Sequence, residues 1–508
     1  MKFVKIPTEN KVHIDQHQIF QRTFFFRTKM YKASLLSLML LLFACHTGHV
    51  PNDMLSSCNS SAKMNHAERN DIYASLSTTH HPHILRIYGG AYHDTKLERM
   101  LADIVHKLTA VSQNSHQTYS ITILDSESVN AFALPGGYIY LTRGMLALAN
   151  DSSEVAAILA HEIAHITANH GILRLKKEAE LKMTECMSQN FLSHAKRYNT
   201  LRDKRQFAQF SRNQELQADS IALEMLKQAG FDPFASPRFL QSMEAYSAFH
   251  NISDTTNASL DFLATHPTTP QRIRLAIEKA RKISTTNIGK TDRDSFLKNI
   301  DGMIFGGSFH TGFIRGNQFI HPQLRVTFSV PNTFTIENSV HTVWASSPDK
   351  IAIRFDAVPL PDEISASDYL TSGWVVGLDK SSVRPITIQG LPGAHARATN
   401  EQWQFDVAVI LFNKHIFRFI TAAPHNSENF ATVAKNTLQN FHPLSSSQLN
   451  KLKPLRIRIV RVKKGESIAS LANKMQDTAH KEKLFRILNA LAPTQTLSAR
   501  THVKIITQ

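Results

Sequence analysis

Residues 158–175, ILAHEIAHITANHGILRL, place three histidines and a glutamate in one largely apolar stretch. His161 and His165 are four apart, so on an α-helix they stand nearly above one another and can share one ion. Glu162 is adjacent and can lean over that ion without binding it, the place of a general base acting on a metal-activated water. His170 follows His161 by nine residues, about 900° of helical rotation, which sends it to the opposite face.

These residues need an element to hold them. Asp151 followed by Glu154 resembles a capping box with Asp in place of Ser/Thr, and Val155, Ala156, Ile158, Leu159 and Ile163 supply apolar surface, so the spacing predicts a buried helix. A catalytic zinc takes three protein ligands and keeps one position open. The candidate third ligand lies in SRNQELQADSIALEML, residues 211–226, where Glu215 and Asp219 are again four apart on a helix marked by Leu216, Ala218, Ile221, Ala222 and Met225. Carboxylates on an apolar face need partners. Glu215 as a ligand, with Asp219 accepting the distal N–H of a ligand histidine, provides them.

HEIAH followed downstream by Glu215-Leu216-Gln217-Ala218-Asp219 resembles the HEXXH zinc metallopeptidases that include the CAAX prenyl proteases, HtpX and the periplasmic proteases BepA and LoiP. NAFALPGGYIYLTRGML (130–146) and THPTTPQRI (265–273) are similar to two further segments of that family, and the resemblance spans roughly residues 87–283. It implies a mainly helical zincin domain of gluzincin type with a small sheet and an edge strand. It implies one Zn2+ per chain on His161, His165 and Glu215, with Asp219 behind a ligand and Glu162 as base. His266 and Arg272 would lie beside the metal, where either could stabilise an oxyanion; His266 could instead fill the open position in a resting form. Residues 130–140 would include an edge strand that binds extended substrate through its backbone, engaging Asn130, Ala131, Phe132, Ala133, Gly136 and Gly137; an ordinary hairpin turn is the other reading of the Pro-Gly-Gly run.

The implied activity is endoproteolysis in a bacterial envelope, on unfolded or misassembled envelope proteins. The alternative is an envelope chaperone or binding protein using the same groove, with proteolysis latent. Three cysteines and no GxSxG string leave no competing nucleophile. No 34-residue helical repeat is evident, so partner interactions of repeat-bearing relatives do not transfer.

At 508 residues and 42% hydrophobic content the chain can build two or three cores, at about 150 residues each. MYKASLLSLMLLLFAC, residues 30–45, resembles a bacterial lipoprotein signal ending at a lipidated Cys45; a cleaved secretory signal is the alternative, and translation could start at Met1 or Met30. Both predict export, with the lipid anchor placing the protein in the periplasm at the outer membrane. The apolar run is shorter than the roughly twenty residues of a membrane span. Cys58 and Cys186 could pair or remain free thiols. The net charge is +16, about +11 without residues 1–44; it could favour anionic membranes but reads as a basic solvated surface, and no nucleic-acid motif accompanies it.

The expected organisation is α+β: a signal peptide (1–45), a tether (46–85), the zinc metallopeptidase domain (86–285), an α+β accessory domain (300–442) and a small βααβ module (455–508). Leu97, Met100, Leu101, Ile104, Val105, Leu108 and Val111 predict an early core helix. The charged stretch 175–210 reads as a helix, shielding the cleft or simply solvated. Alternation at Leu324, Val326, Phe328 and Val330, at Ile351, Ile353 and Phe355, and at Trp403, Phe405, Val407 and Val409 predicts strands, followed by a helix from Ser427. VRVKKGESIASLANKM and LFRILNAL resemble a LysM module, which implies binding to peptidoglycan or mere docking on the rest of the chain.

Overall fold

The structure is a computed structural model and describes residues 79–508 apart from 175, 178–192, 253–265, 268, 285–291, 362–363, 477 and 479. The expected signal peptide, Cys45, Cys58, Cys186, most of the tether and much of the charged 175–210 stretch lie outside the described residues. The last residues assigned to the tether, 79–85, instead open a helix (α1, 79–87). Its Ile84 and the following Tyr88 pack with Leu124 and Tyr140, which gives these residues a buried face.

Asp94 caps α2 (Thr95–Ala110) by accepting the N–H groups of Lys96 and Leu97, and the helix buries Leu97, Met100, Leu101, Ile104, Val105 and Leu108. A three-stranded sheet follows: β1 (Ser120–Leu124) runs parallel to β3 (Tyr138–Thr142), and β2 (Ala131–Leu134) pairs antiparallel with β3 and forms the edge. The β2–β3 turn needs its glycines. Gly136 and Gly137 sit at φ 89° and 92°, and a Cβ on Gly137 would stand 2.1 Å from the Thr118 carbonyl oxygen.

Thr142 caps α3 (Arg143–Leu148), and α4 (Ser152–Thr167) follows at once. Asp151 accepts the Glu154 N–H at 2.8 Å, while the Glu154 carboxylate accepts the Asn150 N–H at 2.8 Å. This is the predicted reciprocal cap displaced by one residue. Helix α4 is buried on every side from Ser152 to Ala164, between β2, α5 (Ser193–Gln228) and α6 (Ala235–Ile252). Helix α7 (Pro270–Ile283) starts from Thr269, which accepts the Arg272 N–H, and packs on α5 and α6. Helix α8 (Arg293–Ile300) buries Phe296, Leu297 and Ile300 in the same core.

The middle of the chain is antiparallel. Strands β4 (Phe313–Arg315), β5 (Gln318–His321), β6 (Val326–Ser329) and β14 (His442–Pro443) form a four-stranded sheet. A seven-stranded sheet has the order β10-β11-β12-β13-β9-β8-β7, from β7 (Thr335–Asn338), β8 (Val343–Ser346), β9 (Ala352–Pro359), β10 (Leu378–Ile388), β11 (Leu391–Thr399), β12 (Trp403–Phe412) and β13 (His415–Pro424). Alternation sends Phe355, Phe417 and Phe419 to one face, under α10 (Phe430–Gln439), and Trp403, Phe405, Val407 and Val409 to the other, under α9 (Ala366–Thr371).

After α11 (Ser446–Lys451), the C-terminal residues form β15 (Arg456–Arg461), α12 (Ile468–Asn473), α13 (Lys481–Leu488) and β16 (His502–Thr507), in the predicted order. They share one hydrophobic core with the N-terminal helices: Ile457, Leu471, Phe485 and Ile506 belong to the cluster that holds Leu101, Leu146, Leu159 and Phe296. The segment leading into the accessory domain also runs beside β15, with Gly302 donating to Ile457, Ile457 to Met303 and Phe305 to Leu455.

Candidate metal centre

Four side chains converge where α4, α5 and the residues before α7 meet. One donor atom from each of His161, His165, Glu215 and His266 lies within 4.8 Å of the others. His161 Nε2 is 3.0 Å from His165 Nε2, 3.4 Å from Glu215 Oε2 and 3.3 Å from His266 Nδ1. His165 Nε2 is 3.5 Å from Glu215 Oε1, and His266 Nδ1 is 3.1 Å from both Glu215 oxygens. Donors held tetrahedrally by one zinc, each about 2.0–2.1 Å away, lie about 3.3 Å apart. These separations cluster around that value.

Charge fits the same ion. Three buried carboxylates, Glu162, Glu215 and Asp219, face one buried guanidinium, Arg272. With the imidazoles neutral, two negative charges are left over, the complement of a dication; without an ion, a proton on His161 offsets one of them. Glu162 Oε1 is buried, meets no hydrogen-bond partner among the described residues and stands 3.7 Å from His266 Nε2. Burial pushes the Glu162 carboxyl up. Burial also works against the Glu215 carboxylate, but His266 and His161 overcome it and hold its pKa well below the usual range.

A second layer surrounds the donors. Asp219 Oδ1 lies 3.0 Å from His161 Nδ1, and Arg272 clasps Asp219 with Nε to Oδ2 at 2.7 Å and Nη2 to Oδ1 at 2.8 Å. Arg272 Nη1 reaches Glu215 Oε2 at 3.0 Å and the Pro267 carbonyl at 3.1 Å. Its donors therefore face carboxylates and backbone, not open space. Against the penalty of burial, Arg272 and His161 bring the Asp219 pKa down to about 2. Burial likewise opposes a charge on His161, yet its bonds to Asp219 and Glu215 raise its pKa to about 10.

The expectation that His170 faces away is overturned. Helix α4 ends at Thr167, Asn169 takes the left-handed conformation at φ 55°, and a new helical stretch starts at His170. His170 Nδ1 then lies 3.0 Å from His165 Nδ1, with His170 Nε2 3.2 Å from Gln217 Oε1. The Gln217 oxygen can only accept, so His170 donates from Nε2 and accepts at Nδ1 from His165. That leaves the lone pair of His165 on Nε2, toward the other donors. Asn-His-Gly, residues 169–171, is the signal that could have shown this, since Asn favours the left-handed position that closes a helix.

Of the residues expected along an edge strand, Ala131, Phe132 and Ala133 lie in β2, the edge of its sheet, which packs against α4. Asn130 is buried, donates its backbone N–H to Thr142 Oγ1 at 3.1 Å, and donates from Nδ2 to the Tyr88 hydroxyl at 2.9 Å. Phe132 stacks on Tyr140 at 5.0 Å. Gly136 and Gly137 form the β2–β3 turn.

Two helical histidines, a carboxylate from a second helix and an adjacent buried glutamate are the arrangement that a metallopeptidase site uses. Residues 95–280 match Peptidase family M48. It is similar to the mitochondrial metalloendopeptidase OMA1 of Schizosaccharomyces pombe, 30% identical over 36% of this chain and 52% of that protein. It is also similar to the β-barrel assembly-enhancing proteases of Yersinia pestis, 25% identical over 38% of this chain, and of Escherichia coli, 24% identical over 37%, in each case covering 40% of the relative. The chain thus spans about half or less of the length of these relatives.

Proposed function

We propose that this chain is a zinc-dependent endopeptidase of gluzincin type acting on misassembled proteins of the bacterial envelope, in which Glu162 is the general base. The observation that carries this reading is the convergence of His161, His165, Glu215 and His266 beside a buried, unpartnered Glu162 oxygen. Zinc held by His161, His165 and Glu215 would supply the activation of water and the polarisation of a peptide carbonyl. Glu162 Oε1 takes the proton of the attacking water and returns it to the leaving amine; its burial raises its basicity. Asp219 and His170 fix the rings of His161 and His165 from behind. Arg272 holds Asp219 and Glu215 in place, a positioning role better supported by its contacts than contact with an oxyanion.

His266 is the fourth donor, which supports a resting form in which it fills the position a substrate needs. The edge of β2 offers an extended peptide unpaired backbone groups, a sequence-tolerant mode suited to unfolded chains. The relatives named for β-barrel assembly support an envelope substrate. The described residues contain no helix long and apolar enough to cross a membrane.

The test pairs zinc content with cleavage of unfolded casein for wild type, Glu162→Gln and His266→Ala. Zinc in all three, with cleavage lost at least a hundredfold only in Glu162→Gln, supports the mechanism. Faster cleavage by His266→Ala supports the resting form. A wild type that binds no zinc removes the basis of the whole reading.

A further inference from the structure

The net charge of +16 is not spread over the chain. Residues 1–44 contribute +5 and residues 451–508 contribute +10, with thirteen Lys/Arg against three Asp/Glu; the 406 residues between them contribute +1. The C-terminal element is therefore a concentrated cation attached to a nearly neutral body, which corrects the reading of a generally basic surface. Its positive groups are also sorted by depth. Lys504 is buried and spent on backbone carbonyls, and Arg486 bonds Glu482 and two carbonyls. Arg461, Lys463, Lys464 and Arg500 are exposed.

Those four lie on one tip. Val462 donates to the Thr501 carbonyl at 2.9 Å and Arg500 to the Val462 carbonyl at 2.8 Å, so the turn after β15 abuts the chain entering β16. The acidic groups nearby do not cancel the tip. Glu466 is paired with Lys474 at 2.7 Å and with the Lys463 backbone, and Asp294 meets His502 at 3.0 Å.

We propose that this tip is a docking surface for anionic lipid headgroups, so that the C-terminal element holds the peptidase domain against a negatively charged membrane. Two observations favour lipid over a polymer with rings to stack on. The sole Phe, Tyr or Trp in residues 451–508 is Phe485, which is fully buried, so the tip offers no aromatic platform for sugars or bases. The tip residues are long, exposed and set at the end of β15 or in the loops beyond it and before β16, the arrangement that gains from a diffuse negative surface. The element is also fixed to the body through the shared core, so docking the tip orients the site.

The experiment is co-sedimentation of the full chain with vesicles of phosphatidylcholine alone or with one fifth phosphatidylglycerol, at low and high salt. Wild type is compared with a tip variant, Arg461→Gln, Lys463→Gln, Lys464→Gln and Arg500→Gln, and with a control of equal charge, Lys96→Gln, Arg99→Gln, Lys380→Gln and Arg384→Gln. Circular dichroism checks that all three are folded. The expected result is salt-sensitive binding to the anionic vesicles that falls at least tenfold in the tip variant and less than twofold in the control. Equal loss in both variants, or none in the tip variant, overturns the proposal. So does tip-dependent binding to purified peptidoglycan sacculi without vesicle binding, which would assign the tip to the wall.

Discussion

Asp219 and His170 are outside the group of four converging donors, yet each holds the far nitrogen of a candidate zinc ligand. Partners of this kind commonly contribute about 10–100-fold to metal affinity by fixing ring orientation and tautomer. Asp219→Asn and His170→Ala should each weaken zinc binding by about that factor, read by competition with a chromogenic chelator. Unchanged affinity in both variants would show that the histidines are held by packing alone. Asp219→Asn also strips Arg272 of its main counter-charge, so its thermal midpoint should fall while that of His170→Ala changes less. The primary donors were legible from spacing because i, i+4 geometry is local. His170 was not, because one left-handed residue, Asn169, reverses the direction in which a helical count would place it.

At the scale of elements, the strands and helices of the accessory domain follow their period-two and helical patterns. Val326, Phe328, Ile353, Phe355, Trp403 and Phe405 are all buried, as the alternation predicts. His321, at the end of β5, was not singled out by any pattern. Its Nδ1 accepts the Leu324 N–H at 3.2 Å, and burial brings its pKa down to about 4 from 6.5. A folded-state pKa below the unfolded one means that protonation favours the unfolded chain. The stability contributed by neutral His321 is complete above pH 6.5 and is lost as pH falls toward 4, by at most about 3 kcal/mol. Denaturant midpoints for wild type should drop over that interval, and those for His321→Gln should drop less. Parallel pH profiles would rule out His321 as the source.

The whole molecule is joined by charges that sequence presents as ordinary surface residues. Arg143 is buried, bonds Asp125 at 2.6 Å and donates to the carbonyls of Ile304 and Gly306, tying the sheet and α3 to the segment that enters the accessory domain. Lys504, fully buried in β16, donates to the carbonyls of Ala147 and Ala149 at 2.8 Å, at the end of α3 just before the helix that carries His161. Lys504→Met should leave these carbonyls without their donor, at a cost of about 2–4 kcal/mol, seen as a lower unfolding midpoint. A change below about 0.5 kcal/mol would mean that water replaces Lys504 Nζ.

The sequence by itself determined the candidate ligands, the candidate base, the order of elements and the α+β character, because each rests on spacing within one element or on alternation along it. Only the tertiary structure decided that His266 converges on His161, His165 and Glu215 and that Arg272 is committed to Asp219 and Glu215. It alone joined residues 455–508 to the N-terminal core. These contacts bring together residues far apart in the chain. Which distant groups meet is settled when apolar surfaces close on one another and each buried charge must find a partner.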